Sequence, residues 1–137
     1  MKFDHIGIIV DNILIIEDQF KKIFKLKNYK NLIIDKKIDV KVKFFKDTKG
    51  LKYELIEPLS KKNPLNKINK DKLNSLHHLA YKVKNFDKEC VKFRNLGFAF
   101  LTKPLRAKAY KNNRIIFLMS KENFIIELKR WTFLYAL

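Results

Sequence analysis

The sequence predicts an α+β fold built from two tandem βαβββ modules. The first observation behind this prediction is an internal repeat at a constant spacing of 73 residues, which sets His5 against His78 (78 − 5 = 73). The second is that each copy changes from strand-type to helix-type periodicity and back again. The third is size: 137 residues, 47% of them hydrophobic, favour a single compact domain over residues 1–137.

The repeat includes rare residue types as well as apolar ones. The spacing that relates His5 to His78 also relates Glu54 to Glu127 (127 − 54 = 73), so each half has a histidine and a glutamate 49 positions apart (54 − 5 and 127 − 78). Apolar matches alone arise by chance between any two strands, whereas a shared spacing of histidine and glutamate does not. The apolar pairs that follow the same spacing are Phe20 with Phe93, Val42 with Ile115, and Phe44 with Phe117.

Each module is expected to begin with a strand and then a helix. Residues 5–10 and 78–83 are rich in β-branched and aromatic types, which is typical of strands. Helical spacing of apolar residues follows in both halves. Asn12 and Asn85 are predicted N-caps, and Gly97 is predicted to end the second helix.

An irregular extended stretch and two further strands complete each module. We expect the last two strands to be joined by turns at residues 47–50 and 121–123. The predicted boundaries are module one at 1–57, a polar linker at 58–75, module two at 76–131 and an apolar tail at 132–137. The tail must be covered, either within the chain or at a homodimer interface.

Strand alternation predicts where the histidines and glutamates point. His5, Glu54, His78 and Glu127 fall on the strand faces opposite to the apolar residues that suit helix packing. Two imidazoles and two carboxylates suit a divalent ion such as Zn²⁺, Co²⁺, Ni²⁺, Mn²⁺ or Fe²⁺. Two positions beyond each histidine, Gly7 and Ala80 are small and leave room for a substrate oxygen. His77 lies on the opposite strand face from His78, so we expect it to be structural or to support the ligands.

The composition bounds the partners. A net charge of +17 attracts polyanions, either nucleic acid or a phosphate-bearing substrate such as a coenzyme A ester. The lysines are scattered along the chain, which favours a solvated surface over a nucleic-acid site. The single cysteine, Cys90, excludes an intramolecular disulfide and is consistent with a reducing cytosol, so we expect a cytoplasmic protein. No apolar run is long enough to cross a bilayer.

The blocks "FDHIGIIV", "YELIEPLS", "NPL", "LHHLAYKV" and "RIIFLMSKENFIIEL" resemble the vicinal oxygen chelate superfamily, the glyoxalase/bleomycin-resistance/dioxygenase group. Within it they are most similar to methylmalonyl-CoA epimerase-like proteins. The resemblance implies a cup-shaped, mostly antiparallel, eight-stranded mixed sheet around a metal site. It also implies metal ligation by His5, Glu54, His78 and Glu127, and an epimerase or isomerase that acts on an acyl thioester. Superfamily members often form dimers, which favours a homodimer.

The resemblance further implies that a carboxylate at the metal removes and returns the proton α to a carbonyl, and Glu127 is the first choice for this role. Two features depart from the epimerase pattern. The stretch "VKVKFF" has no acid that could serve as a second base, and a basic loop, "RAKAYKNN", replaces a glycine-rich one. The basic side chains predicted to contact a substrate phosphate are Arg106, Lys108, Lys111 and Arg114.

Two alternatives to the epimerase stay open. A glyoxalase I-type lyase acting on a hemithioacetal would use the same two histidines and two glutamates. A non-catalytic binding protein of the bleomycin-resistance type would share the fold, but it has no need of the full ligand set. A nucleic-acid binder is the least favoured, because aromatic residues such as Phe44 and Phe98 have the pattern of a core.

Overall fold

The structure is a computed structural model that describes residues 1–63 and 73–131. These ranges contain ten strands and two α-helices, so the predicted mixed α+β class is confirmed. The first half comprises β1 (Lys2–Ile9), α1 (Ile13–Phe24), β2 (Lys27–Asn28), β3 (Ile33–Asp35), β4 (Val40–Lys46) and β5 (Lys52–Pro58). The second comprises β6 (Ser75–Val83), α2 (Phe86–Asn95), β7 (Ala99–Phe100), β8 (Leu105–Ala107), β9 (Asn113–Met119) and β10 (Ile125–Arg130).

The chain divides into two compact units. The N-terminal unit is His5–His77, and the C-terminal unit is Met1–Asp4 together with His78–Leu137. The break at His77 and His78 lies within two residues of the predicted start of module two at residue 76. The prediction that residues 1–137 form one domain with those module boundaries stays a prediction.

The same strand arrangement occurs in both units. In the N-terminal unit the strand order is β2-β4-β5-β1, and in the C-terminal unit it is β6-β10-β9-β7. The first strand of each half pairs in parallel with the last, β1 with β5 and β6 with β10. The other pairings are antiparallel. The mostly antiparallel mixed character that the sequence predicts is thus present in each half.

Each half has five strands where four are predicted. The single extended stretch after each helix forms two short strands on the same edge of a longer one. In the first half, β2 pairs with the end of β4 at Lys46, and β3 pairs with its start at Val40. In the second half, β7 pairs with the end of β9 at Met119, and β8 pairs with its start at Asn113. The residues between β7 and β8 include Pro104, which has no N–H to give to a sheet and so favours this interruption.

The helix ends form as the sequence predicts. Asn12 Oδ1 accepts a hydrogen bond from Ile15 N at 3.3 Å, and Asn85 Oδ1 accepts one from Lys88 N at 3.2 Å. These bonds satisfy N–H groups that the first turn of a helix leaves without an internal partner. Gly97 lies two residues beyond the end of α2, with φ of +90°, and its N–H donates to Arg94 O.

Each unit has its own hydrophobic core between its helix and one face of its strands. The N-terminal core comprises Ile8, Val10, Ile13, Leu26, Phe45 and Leu55. The C-terminal core comprises Val83, Phe86, Cys90, Phe93, Ile116, Leu118 and Leu128. These strand residues alternate with the predicted ligands, so His5, Glu54, His78 and Glu127 lie on the faces turned away from the helices, as predicted.

Two predicted segments fall at the limits of the structure. The apolar tail at 132–137 and the greater part of the linker, residues 64–72, lie outside the described residues. Within the described ranges, neither α1 nor α2 has the length and apolar character needed to cross a membrane.

Candidate metal centre

In the N-terminal unit the parallel pairing of β1 and β5 brings His5 and Glu54 together. His5 Nε2 lies 3.6 Å from Glu54 Oε1, and both side chains are buried. The register places Glu54 beside Gly7 on one neighbouring strand and beside Phe44 on the other. The Phe44 ring meets the His5 ring edge to face, with centroids 5.5 Å apart and planes at 88°. The His5 imidazole therefore contacts the Phe44 ring and the Glu54 carboxylate.

The C-terminal unit repeats this arrangement. His78 Nε2 lies 2.8 Å from Glu127 Oε2, and both side chains are buried. Glu127 is beside Ala80 on one neighbouring strand and beside Phe117 on the other. The Phe117 ring meets the His78 ring with centroids 5.1 Å apart and planes at 72°. Each member of this set is the 73-residue counterpart of a member of the first set.

Burial of these two His–Glu pairs has an energetic cost. A buried carboxylate loses its hydration, so it needs a positive partner, which can be a protonated imidazole or a metal ion. The described residues include a group that could hold a metal ion, and its members are the four buried side chains of His5, Glu54, His78 and Glu127. Imidazole nitrogen and carboxylate oxygen are the donors that Zn²⁺ and other divalent first-row ions accept. The donor set therefore fits such an ion, and it does not identify which one.

The other histidine of the doublet, His77, is also buried. His77 is next to His78 on β6, and the alternation of the strand turns it to the other face. This placement agrees with the expectation that the two histidines do not act as one unit.

The four basic residues predicted to meet a phosphate have different surroundings. Arg114 donates to both carboxylate oxygens of Asp87, at 3.1 and 3.2 Å, and its guanidinium carbon lies 4.7 Å from the centroid of the Phe86 ring. Both contacts are with α2, so they account for Arg114 without a ligand. Arg106 donates to Asn112 O at 3.1 Å. Lys108 begins a short 3-10 helix, Lys108–Tyr110, and Lys111 ends it in the left-handed region.

The structure also shows a charged cluster beside the second His–Glu pair that the sequence reasoning missed. Lys82 Nζ lies 3.2 Å from Asp4 Oδ1, and Lys129 Nζ lies 3.1 Å from Asp4 Oδ2. Alternation places Lys82 on the face of His78 and Lys129 on the face of Glu127. That shared face was readable from the sequence, but a carboxylate 125 positions from Lys129 along the chain could not be assigned to it.

Comparison with known families identifies the class of protein. The chain belongs to the Glyoxalase/Bleomycin resistance protein/Dioxygenase superfamily, whose family pattern matches residues 4–117. This is the vicinal oxygen chelate superfamily, and the resemblance noted in the sequence is thereby confirmed. No curated protein matches the chain in a sequence comparison.

Solved structures share the fold at low sequence identity. A hypothetical protein from Bacillus halodurans C-125 has a TM-score of 0.82 and 24% identity, over 99% of this chain and 98% of that one. Methylmalonyl-CoA epimerase from Mycobacterium tuberculosis has a TM-score of 0.79 and 20% identity, over 96% and 88%. A variant of the Streptomyces coelicolor methylmalonyl-CoA epimerase, in complex with 2-nitronate-propionyl-CoA, has a TM-score of 0.79 and 18% identity, over 97% and 99%.

Proposed function

We propose that His5, Glu54, His78 and Glu127 together bind one divalent metal ion, of Co, Ni, Zn, Mn or Fe. We further propose that the protein is an epimerase or isomerase acting on an acyl thioester, such as a coenzyme A ester. The observation that carries the proposal is the pair of buried His–Glu contacts, at 3.6 and 2.8 Å, in matching positions of the repeat. Family membership and the fold shared with two methylmalonyl-CoA epimerases support the choice of reaction.

A bound divalent ion would act as a Lewis acid on the substrate carbonyl and so lower the pKa of the α-hydrogen. The protein supplies the base. Glu127 alternates between binding the metal and acting as the base. As the base it removes the α-proton, so that a C–H bond breaks and a carboxyl O–H bond forms, and return of the proton to the opposite face inverts the carbon. His78, 2.8 Å away, fixes the orientation of this carboxylate. Phe117 packs against His78, and both pair members are buried, so the base stays away from bulk water.

Metal content provides the first test. Purified protein should hold about one divalent ion per chain by elemental mass spectrometry, and His78→Ala and Glu127→Ala should each lose it. His77→Ala is the matched control, because it removes a buried neighbouring histidine that the proposal does not use. Equal metal content in the His78 and His77 variants would overturn the site assignment, provided that circular dichroism shows both to be folded.

Hydrogen exchange provides the second test. Metal-loaded protein in heavy water should exchange the α-proton of methylmalonyl-CoA or of a related acyl thioester, and Glu127→Gln should slow this exchange strongly. Activity on a hemithioacetal without any thioester exchange would instead identify a glyoxalase I-type lyase. Tight binding of a small molecule without turnover would identify a binding protein. Cytoplasmic location and homodimer formation stay predictions.

A further inference from the structure

The cluster of Asp4, Lys82 and Lys129 is the starting point for an inference about the substrate. The carboxylate carries one negative charge and the two ammonium groups carry two positive charges, so the cluster has a net charge of +1. The side chains of Lys82 and Lys129 are only 24% and 14% exposed, and that of Asp4 is 2% exposed. Holding excess positive charge where water is scarce is costly, and a bound anion would offset that cost.

The repeat shows that these lysines are not needed for packing. Their counterparts in the N-terminal unit are Ile9 (82 − 73) and Ile56 (129 − 73), which are both buried. The register is the same in both units, because Ile9 pairs with Ile56 and Lys82 pairs with Lys129 across parallel strands. An aliphatic pair therefore satisfies this position of the fold, and the C-terminal unit has a lysine pair there for another reason.

The geometry of the cluster holds both ammonium groups in place. Each lysine has three N–H donors, and Asp4 binds the two lysines through its two separate oxygens. Lys129 Nζ also lies 4.1 Å from the centroid of the Tyr110 ring, a cation–π contact that fixes it further. Two fixed ammonium groups with remaining donors form an arrangement that binds a carboxylate or a phosphate oxygen.

The position of the cluster links it to the proposed metal centre. Lys129 is two residues beyond Glu127 on β10, on the same face, so their Cα atoms are about 6.6 Å apart along the strand. Lys82 lies two residues beyond Ala80, the neighbour of Glu127 on β6. An oxyanion held between the lysines would thus lie a few bond lengths from a group held at Glu127.

We propose that Lys82 and Lys129 form an oxyanion subsite, which binds a carboxylate or phosphate group of the substrate next to the His78–Glu127 pair. The inference rests on the proposed function for the neighbouring chemistry, and it narrows the substrates to those with an anionic group close to the reacting carbon. Anion binding itself needs neither metal nor turnover, so it can be tested separately.

Calorimetry on the metal-free protein, with all 137 residues present, tests the subsite at low ionic strength with malonate and with inorganic phosphate as probes. At least one probe should bind, and Lys129→Met and Lys82→Met should each weaken it at least tenfold. Lys129→Arg should retain most of the binding. Lys121→Met is the matched control, because it removes one charge from an exposed turn of the same unit. Comparing the two probes shows whether the group bound is a carboxylate or a phosphate.

Equal affinity in Lys129→Met and Lys121→Met would overturn the inference, as would the absence of binding by either probe. A second measurement needs no variant. Mass spectrometry monitors the acetylation of lysines, and the bound probe should slow the acetylation of Lys82 and Lys129 without changing that of Lys121. If the metal centre fails its own test while anion binding persists, only the proposed function falls.

Discussion

The two halves of the chain share a backbone plan and differ in where they place charge. In each unit a histidine contacts a glutamate and packs against a phenylalanine, and these residues are counterparts 73 positions apart. On the face of that contact, the N-terminal unit has Ile9 and Ile56 where the C-terminal unit has Lys82 and Lys129. The His–Glu pair is therefore repeated, whereas the residues next to it differ between the two units.

On the helix-packed faces, the charged residues are in the N-terminal unit and the apolar ones are in the C-terminal unit. In the N-terminal unit Glu17 of α1 accepts a hydrogen bond from Lys43 of β4 at 2.7 Å. Their counterparts in the C-terminal unit are Cys90 (17 + 73) and Ile116 (43 + 73), which belong to an apolar core. The N-terminal unit thus has a partly buried lysine–carboxylate contact on its helix-packed face, and the C-terminal unit has one on the opposite face of its strands. A repeated fold can therefore move its charges while it keeps the His–Glu pair of each unit.

The largest effect is expected from the two glutamates. Glu127→Gln should slow α-proton exchange by about 10²–10⁴-fold at saturating metal, because it removes the base. Glu54→Gln should reduce the rate less, because it removes a ligand and leaves the base in place. Rates measured over a range of added Zn²⁺ or Co²⁺ separate lost metal from lost chemistry. Equal losses at saturation would show that the two halves contribute alike and would remove the special role of Glu127.

The next effect concerns the stability of the C-terminal cluster. Asp4→Asn leaves two mostly buried lysines without their shared carboxylate, which should cost about 2–3 kcal/mol of unfolding free energy. Adding Lys82→Ile and Lys129→Ile, the residues of the other half, should restore much of that loss. Urea unfolding of the single and triple variants checks both values. A triple variant no more stable than Asp4→Asn would show that the two strand positions are not interchangeable.

The charged contact of the N-terminal unit should give a smaller, pH-dependent effect. Burial raises the pKa of Glu17, but the ammonium groups of Lys43 and Lys21 outweigh it, so the pKa lies below its usual 4.5. The ionised form therefore stabilises the fold above pH 4.5, and this contribution is lost as the pH falls through the lowered pKa. Glu17→Gln should cost about 1–2 kcal/mol at pH 7.

Urea unfolding of Glu17→Gln and the parent between pH 3 and 7 tests this expectation. The difference in unfolding free energy should shrink as the pH falls. A difference that stays constant over that range would show that the contact acts by packing and not by charge.

The smallest effect compares two phenols of the N-terminal unit. Burial raises the pKa of Tyr29, but Lys52, Lys46 and Lys30 outweigh it, so the pKa is lowered below 10.0. Burial, with a contribution from Asp47, raises the pKa of Tyr53 above 10.0. Absorbance titration of Tyr29→Phe and Tyr53→Phe should therefore remove an early and a late transition, respectively. Lys46→Met should move the early transition to higher pH, and no movement would contradict a lysine origin.

The sequence alone determined that the protein consists of two repeated modules, and it predicted the residues of the candidate centre. A constant spacing of 73 positions is visible without coordinates, and strand alternation then assigns each ligand a face, because successive side chains point to opposite sides. The caps at Asn12 and Asn85 were predictable for a similar reason, since they depend on contacts three residues away.

Only the tertiary structure decided what depends on distant segments. The division of the extended stretches into paired short strands follows from pairing with one long edge. The pairing of Arg114 with Asp87 and the sharing of Asp4 by Lys82 and Lys129 join residues 27, 78 and 125 positions apart. The buried carboxylate of Asp4 needs charged partners, whereas Asp87 is exposed, and in both cases the identity of the partner follows from the path of the whole chain.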